Sequence, residues 1–344
     1  MITELEIQHF RGFRHVKLSG LKPVNLIVGG NDTGKTSILE ALVLLLGESS
    51  AIHNLSFTFR ANQSGGQAVD ENNDRENSWS WIFYDQNPSV DLRLVLRTDA
   101  GQEQLVRRGQ ERQGSHPNAP PVPVLVRSTG PSSTEVFLRF RRSQSLEFVG
   151  SESPLGFRLA VLSTRAPNPI SDAENYNQVA LLADGERRIE EIMQQVEPRV
   201  SRLRYAKLPG TTSPLVFVDI GLSRAVPATQ MGQAFNRILH IYTTVLANRA
   251  NALLVDEIEN GIFSESMPTI WAGLFALCER EGVQIFATTH SRECVMAAHE
   301  AEKERGKSEL SVQRLQMVKG NIEAVSLASP HIEVAAEMGL EVRS

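Results

Sequence analysis

The densest chemistry in the sequence is the nonapeptide GGNDTGKTS, Gly29–Ser37. Gly29-x-x-x-x-Gly34-Lys35-Thr36 has the spacing of a loop that wraps phosphates, and each residue type has a task there. Gly29, Gly30 and Gly34 let the backbone N–H groups around Asn31, Asp32 and Thr33 turn inward as an anion nest ahead of a helix. Lys35 is a mobile point charge for the β- and γ-phosphates, and the Thr36 hydroxyl is a hard oxygen ligand for Mg²⁺. Ser37 continues the loop into the helix. The expectation is a nucleoside triphosphate bound with Mg²⁺.

Two later clusters add to it. NALLVDE ends an apolar run in Asp256 and Glu257, and adjacent carboxylates at the tip of a buried strand need a cation or ligand beside them. Tips of parallel strands are where α/β sheets bind ligands. Asp256 is expected to hold Mg²⁺ through water, and Glu257 to polarise the water that attacks the phosphoryl group. An acidic pair after a strand is commonplace, so its weight comes from the pairing with Lys35. VQIFATTHS then puts His290 at the tip of the following strand, where an imidazole hydrogen-bonds a terminal phosphate. His53, His116 and His240 read as ordinary surface or core residues.

Periodicity supplies the elements that must bring these clusters together. ELEIQHF and GFRHVKL alternate as half-buried strands, PVNLIVG is a continuously apolar strand, and TSILEALVLLLG is a helix ended by Gly47. ANQSGGQAVDENNDRENS and RRGQERQGSHPNAPP read as loops. SWSWIFYD, VDLRLVLR, VLVR and EVFLRFRR read as antiparallel strands with one wet face. Ile189, Ile192, Met193 and Val196 share a helical face closed by Pro198. RLRYAKL and PLVFVDI are strands, and a long helix runs from about Gln230 to Arg249. NALLVDE, SMPTIWAGLFALCER, VQIFATTH and SRECVMAAHEAEKER then alternate strand and helix, as a parallel sheet with covering helices does. LSVQRLQMVKGNIEAVSLA reads as a hairpin turned at Gly320–Asn321. No internal repeat or heptad run occurs.

Composition narrows the class. The 344 residues are 41% hydrophobic and 22% charged, an ordinary globular balance. The net charge of −5 excludes a uniformly basic nucleic-acid binder and leaves room for a local basic groove. Cys278 and Cys294 are too few for a zinc site or a disulfide framework and read as buried thiols. The longest apolar run, Ile38–Gly47, is far shorter than a membrane span and contains Glu40, and the N-terminus lacks the apolar core of a signal peptide. The expected location is the cytoplasm, without a membrane partner.

GGNDTGKTS, LLVDEIENG, ATTHS and PATQMGQAFNRIL, with FRGF at Phe10–Phe13 ahead of the loop, resemble the ABC-type ATPase heads of the RecF, SMC and OLD (overcoming lysogenization defect) group. The resemblance is nearest to short OLD-like ATPases and covers nearly the whole chain. It implies an α/β P-loop ABC-type head: a mixed N-terminal β lobe, a parallel sheet flanked by helices, and a helical signature subdomain. The single head would occupy 1–344. Its β-rich lobe with the phosphate loop and a variable insert spans 1–160, its helical lobe 161–250, and its C-terminal α/β part 251–344. SMC proteins carry long coiled-coil arms, which this chain lacks.

In that group ATP lies between two heads, so the resemblance implies a homodimer or higher oligomer. It adds Arg11 to the nucleotide-binding set. It places a signature at Thr229–Ala234, with Gln230, Met231 and Gly232 offered to the partner's nucleotide at a helix N-terminus. Relatives usually have glycine where this chain has Ala234, which implies slow turnover. Glu259–Asn260–Gly261 resembles the D-loop, Arg237 lies near the signature as a brace for the partner or a surface ion pair, and Ser163 and Thr164 stand where the Q-loop belongs without a glutamine. Full-length OLD proteins carry a Toprim nuclease with an Asp-x-Asp cluster. No aspartate follows His290, so a nuclease would be a separate polypeptide.

The expected function is an ATP-hydrolysing switch that dimerises head to tail and regulates a separate effector, a nuclease in prokaryotic antiphage defence. The alternatives are a RecF-like clamp on duplex DNA and a non-hydrolysing nucleotide-gated scaffold. Arg107, Arg108 and Arg112 of RRGQER and Arg139, Arg141 and Arg142 of FLRFRR would contact DNA phosphates in the clamp; a charged, solvated sheet edge is the blander account of them.

Overall fold

Val24–Gly29 (β3), Ala252–Val255 (β13) and Gln284–Thr289 (β14) are buried at every position, as strands covered on both faces must be. They run parallel in a computed structural model of the chain, which describes residues 1–47, 82–108, 124–130, 136–140, 146–149, 155–162, 168–208 and 213–327 and the single positions 80, 210 and 332. Within 136–140 and 146–149 it describes the backbone. Leu159–Leu162 (β9), Leu310–Val318 (β15) and Asn321–Leu327 (β16) complete a mixed sheet of order β16-β15-β3-β14-β13-β9. Every pairing in it is parallel except β15–β16.

Because side chains alternate along a strand, this sheet serves two cores. Ile27, Leu254 and Phe286 face the helix Lys35–Leu46 (α1). Leu26, Val28, Leu253, Val255, Ile285 and Ala287 face the opposite side. There they meet Pro169–Ala180 (α2), Gly185–Val196 (α3), Gln233–Ala247 (α4), Met267–Glu281 (α5) and Arg292–Arg305 (α6).

Beyond α1 lies an antiparallel sheet of order β2-β1-β4-β5-β6-β7-β8. Its strands are Ile2–Phe10 (β1), Phe13–Ser19 (β2), Arg93–Thr98 (β4), Glu103–Arg108 (β5), Val124–Thr129 (β6), Val136–Phe140 (β7) and Leu146–Val149 (β8). Sandwiched between the sheets, α1 is buried from Ser37 to Leu46. The buried Gln284 amide ties the layers, accepting from the Ile2 N–H and donating to the Ile2 carbonyl, each at 2.8 Å. A small sheet of Arg202–Ala206 (β10), Leu215–Asp219 (β11) and Val226–Pro227 (β12) precedes α4. The fold is α/β, a mixed sheet flanked by helices, as the sequence implies.

Several local expectations are corrected. Ile82–Asp85 of SWSWIFYD is not a strand: Phe83 makes one bridge to Phe10, and a turn follows with Asp85 and Gln86 at positive φ. Arg107 and Arg108 end β5 and are not loop residues. The long helix starts at Gln233, after a 3₁₀ turn at Ala228–Gln230. The β15–β16 hairpin turns at Lys319–Gly320, both at positive φ. Arg237 is 5% exposed and forms no surface pair. Asn62–Asn77, His53, His116, Arg112, Arg141, Arg142, Ser163 and Thr164 lie outside the described residues, as does the Arg139 side chain.

Candidate nucleotide-binding site

Parallel register puts the C-terminal ends of β3, β14 and β13 on one edge, with Thr289 beside Val28 and Val255 beside Ala287. The phosphate loop, Asp256–Glu257 and His290 therefore emerge side by side, although the loop and the acidic pair are 220 residues apart. A cavity of about 920 Å³ opens there. Arg11, Asn31, Asp32, Gly34, Lys35, Thr36 and Ser37 line it, with Asp256, Glu257 and Thr288. Gly29, Gly30 and Thr33 hold the loop's shape from behind, Thr33 Oγ1 donating to the Gly30 carbonyl at 2.9 Å.

Two glycines are obligatory for reasons visible in the geometry. A Cβ on Gly29 (φ 152°) would stand 2.6 Å from the Leu315 carbonyl oxygen. One on Gly34 (φ 86°) would stand 2.6 Å from the Phe13 ring. Phe13 and Arg11 belong to FRGF, so the β1–β2 turn is packed directly onto the loop. Arg11, at φ 53°, donates through Nε and Nη2 to the wholly buried Glu40 of α1 at 3.0 and 3.3 Å. That pair fixes the arginine at the wall of the cavity, on a turn also held by the Arg11 N–H donating to the Ile82 carbonyl at 2.8 Å.

Lys35 Nζ donates to the carbonyls of Gly29 and Gly30 at 2.9 and 2.8 Å. Burial pushes its amine down from the usual range, opposed by the carboxylates of Asp256, Glu257, Glu259 and Asp32. Asp256 accepts from Thr288 Oγ1 at 2.6 Å and from Thr36 Oγ1 at 3.3 Å. Burial raises its carboxyl, helped by the neighbouring Glu257 charge and opposed by those hydroxyls. A buried carboxylate with a hydroxyl alongside is a donor set of hard oxygens suited to Mg²⁺. Glu257 sits at φ 47°, a strained conformation for a non-glycine residue, and its N–H donates to Thr288 Oγ1 at 2.8 Å.

His290 does not line this cavity. It stands beside Gly29 and Thr289 in a small adjoining pocket, its side chain half exposed. Its Nδ1 lies 2.8 Å from Glu259 Oε1, which also accepts its backbone N–H at 2.8 Å. Gln230, Met231 and Gly232 do not line the cavity; Gln230 and Gly232 are exposed, at the start of α4, which has no side-chain cap. Thr288, Glu40 and Phe13 were missed from the sequence. Thr288 had a signal as a polar side chain within the run VQIFATTH, and Glu40 as the one charge in Ile38–Gly47.

Comparison with known proteins agrees with this geometry. The chain is 21% identical over 345 residues, 89% of each chain, to the ATP/GTP phosphatase of Helicobacter pylori. It is 51% identical over 49 residues, 14% of each chain, to the DNA replication and repair protein RecF of Nitrosococcus oceani. It is 54% identical over 44 residues to RecF of Acinetobacter baylyi, 13% of this chain and 12% of that one. Among solved structures, the SMC head bound to the C-winged helix domain of ScpA superposes with a TM-score of 0.52 at 14% identity, covering 95% of this chain and 98% of that one. Its fold is that of a P-loop ABC-type head. Residues 24–295 match the family described as "AAA domain, putative AbiEii toxin, Type IV TA system", so the chain belongs to that family of AAA-type ATPase domains.

Proposed function

We propose that the chain is one head of an ATP-driven switch, hydrolysing ATP in the cavity at the edge of the mixed sheet. The observation that carries the reading is that Lys35, Thr36, Asp256 and Glu257 line one cavity from opposite ends of the sequence. In this reading the amides of Gly29–Ser37 and the start of α1 bind the phosphates, and Lys35 exchanges its carbonyl partners for phosphate oxygens. Arg11 adds a second cation. Thr36 and Asp256 would hold Mg²⁺, which when bound neutralises phosphate charge. Glu257 orients the attacking water, the task phosphoryl transfer chiefly requires. His290 contacts the terminal phosphate through its ring from the adjoining pocket.

Gln230, Met231 and Gly232 do not line their own chain's cavity; in this reading a second copy supplies them across a head-to-tail dimer. ATP favours the closed pair only through contacts absent from the open one. Moving from about 1:99 to 99:1 takes roughly 5.5 kcal/mol, within reach of a few charge-assisted hydrogen bonds at about 1.5–3 kcal/mol each. The closed dimer would control a separate effector, a nuclease in antiphage defence as in an OLD-like system. The SMC head of similar fold likewise holds a partner protein, ScpA. Mass measurement by light scattering tests the switch: Glu257→Gln should double in mass with ATP and Mg²⁺, and a mass unchanged at saturating ATP would overturn it.

A RecF-like clamp is the second reading. Arg93 and Arg107 are direct cross-strand neighbours on the outer face of the antiparallel sheet, both exposed, and like charges placed opposite each other suit an anionic partner. Duplex binding that weakens steeply with salt supports it; no duplex binding at low salt removes it.

A further inference from the structure

We propose that Glu259 is the positioning residue of His290, with the buried guanidinium of Arg237 as its counter-charge; the inference rests on the hydrolytic reading above. Glu259 is almost wholly buried, and its Oε1 accepts both the backbone N–H of His290 and the ring Nδ1. A carboxylate only accepts, so the proton between them belongs to Nδ1. The neutral ring is then fixed as the Nδ1–H tautomer, leaving Nε2 as the nitrogen free to work. That orientation is set before any nucleotide arrives.

The other carboxylate oxygen, Oε2, is buried without a hydrogen-bond partner. Nε and Nη2 of Arg237 are also buried and unpartnered. Burial depresses the Arg237 guanidinium, and the attraction of Glu259 opposes it. Two incompletely satisfied ions of opposite sign therefore lie within each other's field, the arginine on α4 and the carboxylate beyond β13. Each offsets part of the cost of burying the other, and Lys35 is a further positive charge near the same carboxylate. The turn that carries Glu259 has its own backbone bonds, Asn260 N–H to the Glu257 carbonyl and Ile262 N–H to the Glu259 carbonyl. These bonds shape the turn without the carboxylate, which is left to hold the histidine.

Steady-state kinetics of the full chain test the idea. Glu259→Leu should lower kcat for ATP by about 10- to 100-fold, as mispositioned groups do, with KM changed less than about threefold. Glu259→Gln, which keeps an acceptor oxygen, should recover most of that loss. In a His290→Ala background the Glu259→Leu change should have no further effect, because the two act as one unit. Wild-type kcat in Glu259→Leu, or a loss that multiplies with that of His290→Ala, overturns the proposal.

A measurement on the unmutated protein covers a variant that fails to fold. ¹⁵N NMR of histidine-labelled chain at mildly alkaline pH, with the signal assigned by its absence from His290→Gln, should show Nδ1–H. An Nε2–H tautomer overturns the proposal. Thermal melts of Arg237→Met, Glu259→Leu and their double variant should show losses smaller together than summed, and strictly additive losses overturn the pairing. Absence of ATP turnover in the wild type would sink the hydrolytic reading, while the tautomer still decides the role of Glu259.

Discussion

Gly34 is where the phosphate loop and the FRGF turn constrain each other. Gly34→Ala meets a positive φ and the Phe13 ring together, and should lose ATP binding and about 1–3 kcal/mol of stability from backbone strain alone. Adding Phe13→Leu should return part of the stability, read from denaturant midpoints; if it returns none, the ring is not what the loop packs on. Asp256 behaves differently, because burial raises its carboxyl above the ordinary 3.8. Its ionised form therefore weakens the fold at neutral pH, a cost absent below the unfolded-state value and complete above the folded one. Asp256→Asn should raise Tm by about 1–4 °C at neutral pH, lose Mg²⁺-dependent turnover, and converge on the wild-type Tm as pH falls toward that ordinary value. A lowered Tm at neutral pH would contradict this.

At the scale of elements, legibility followed burial. β3, β13 and β14 were readable because both faces are covered and the runs are mostly apolar, with Asn25 and Gln284 as buried polar residues near their starts. β5 gives no clear strand signal, its last two residues reading as loop, because one of its inward residues is a glutamine: Gln104 is buried and donates to the Leu45 carbonyl at the end of α1. Arg127 of β6 is likewise buried, donating to the Leu45 and Gly47 carbonyls at 3.3 and 2.8 Å. Polar side chains that close a helix end from a neighbouring sheet leave no hydrophobic period to detect. Arg127→Met should cost about 1.5–3 kcal/mol or more in a denaturant midpoint; an unchanged midpoint would show that α1 ends without it. Helix α2 was missed because its buried face includes Asp172 and Ala173 beside Tyr176 and Val179, a weak apolar stripe whose clearest sign was the Asn168-Pro169 start.

In the whole molecule, the mixed sheet gathers three distant sequence clusters on one edge, and the sequence showed those clusters without the distances between them. His290 was legible as a residue at that edge. Its engagement with Glu259 was not, since nothing in a linear spacing reveals which neighbour an exposed imidazole chooses. The cavity of one chain is lined by the phosphate loop and the acidic pair and not by Gln230–Gly232, which the proposed dimer would bring from a second copy. Gly232→Asp should leave ATP affinity within about threefold, yet abolish the ATP-dependent doubling of mass in the Glu257→Gln background. Doubling that persists would place the dimer contact elsewhere.

In the proposed reading Lys35 and Glu257 act on one triphosphate, the first in binding and the second in turnover. Parallel measurement of ATP affinity and phosphate release in the wild type, Lys35→Ala and Glu257→Gln tests it most directly. Glu257→Gln should bind ATP as the wild type does and release phosphate at least about 100-fold more slowly, while Lys35→Ala should not bind. Wild-type phosphate release from Glu257→Gln, or undiminished affinity in Lys35→Ala, would contradict the account.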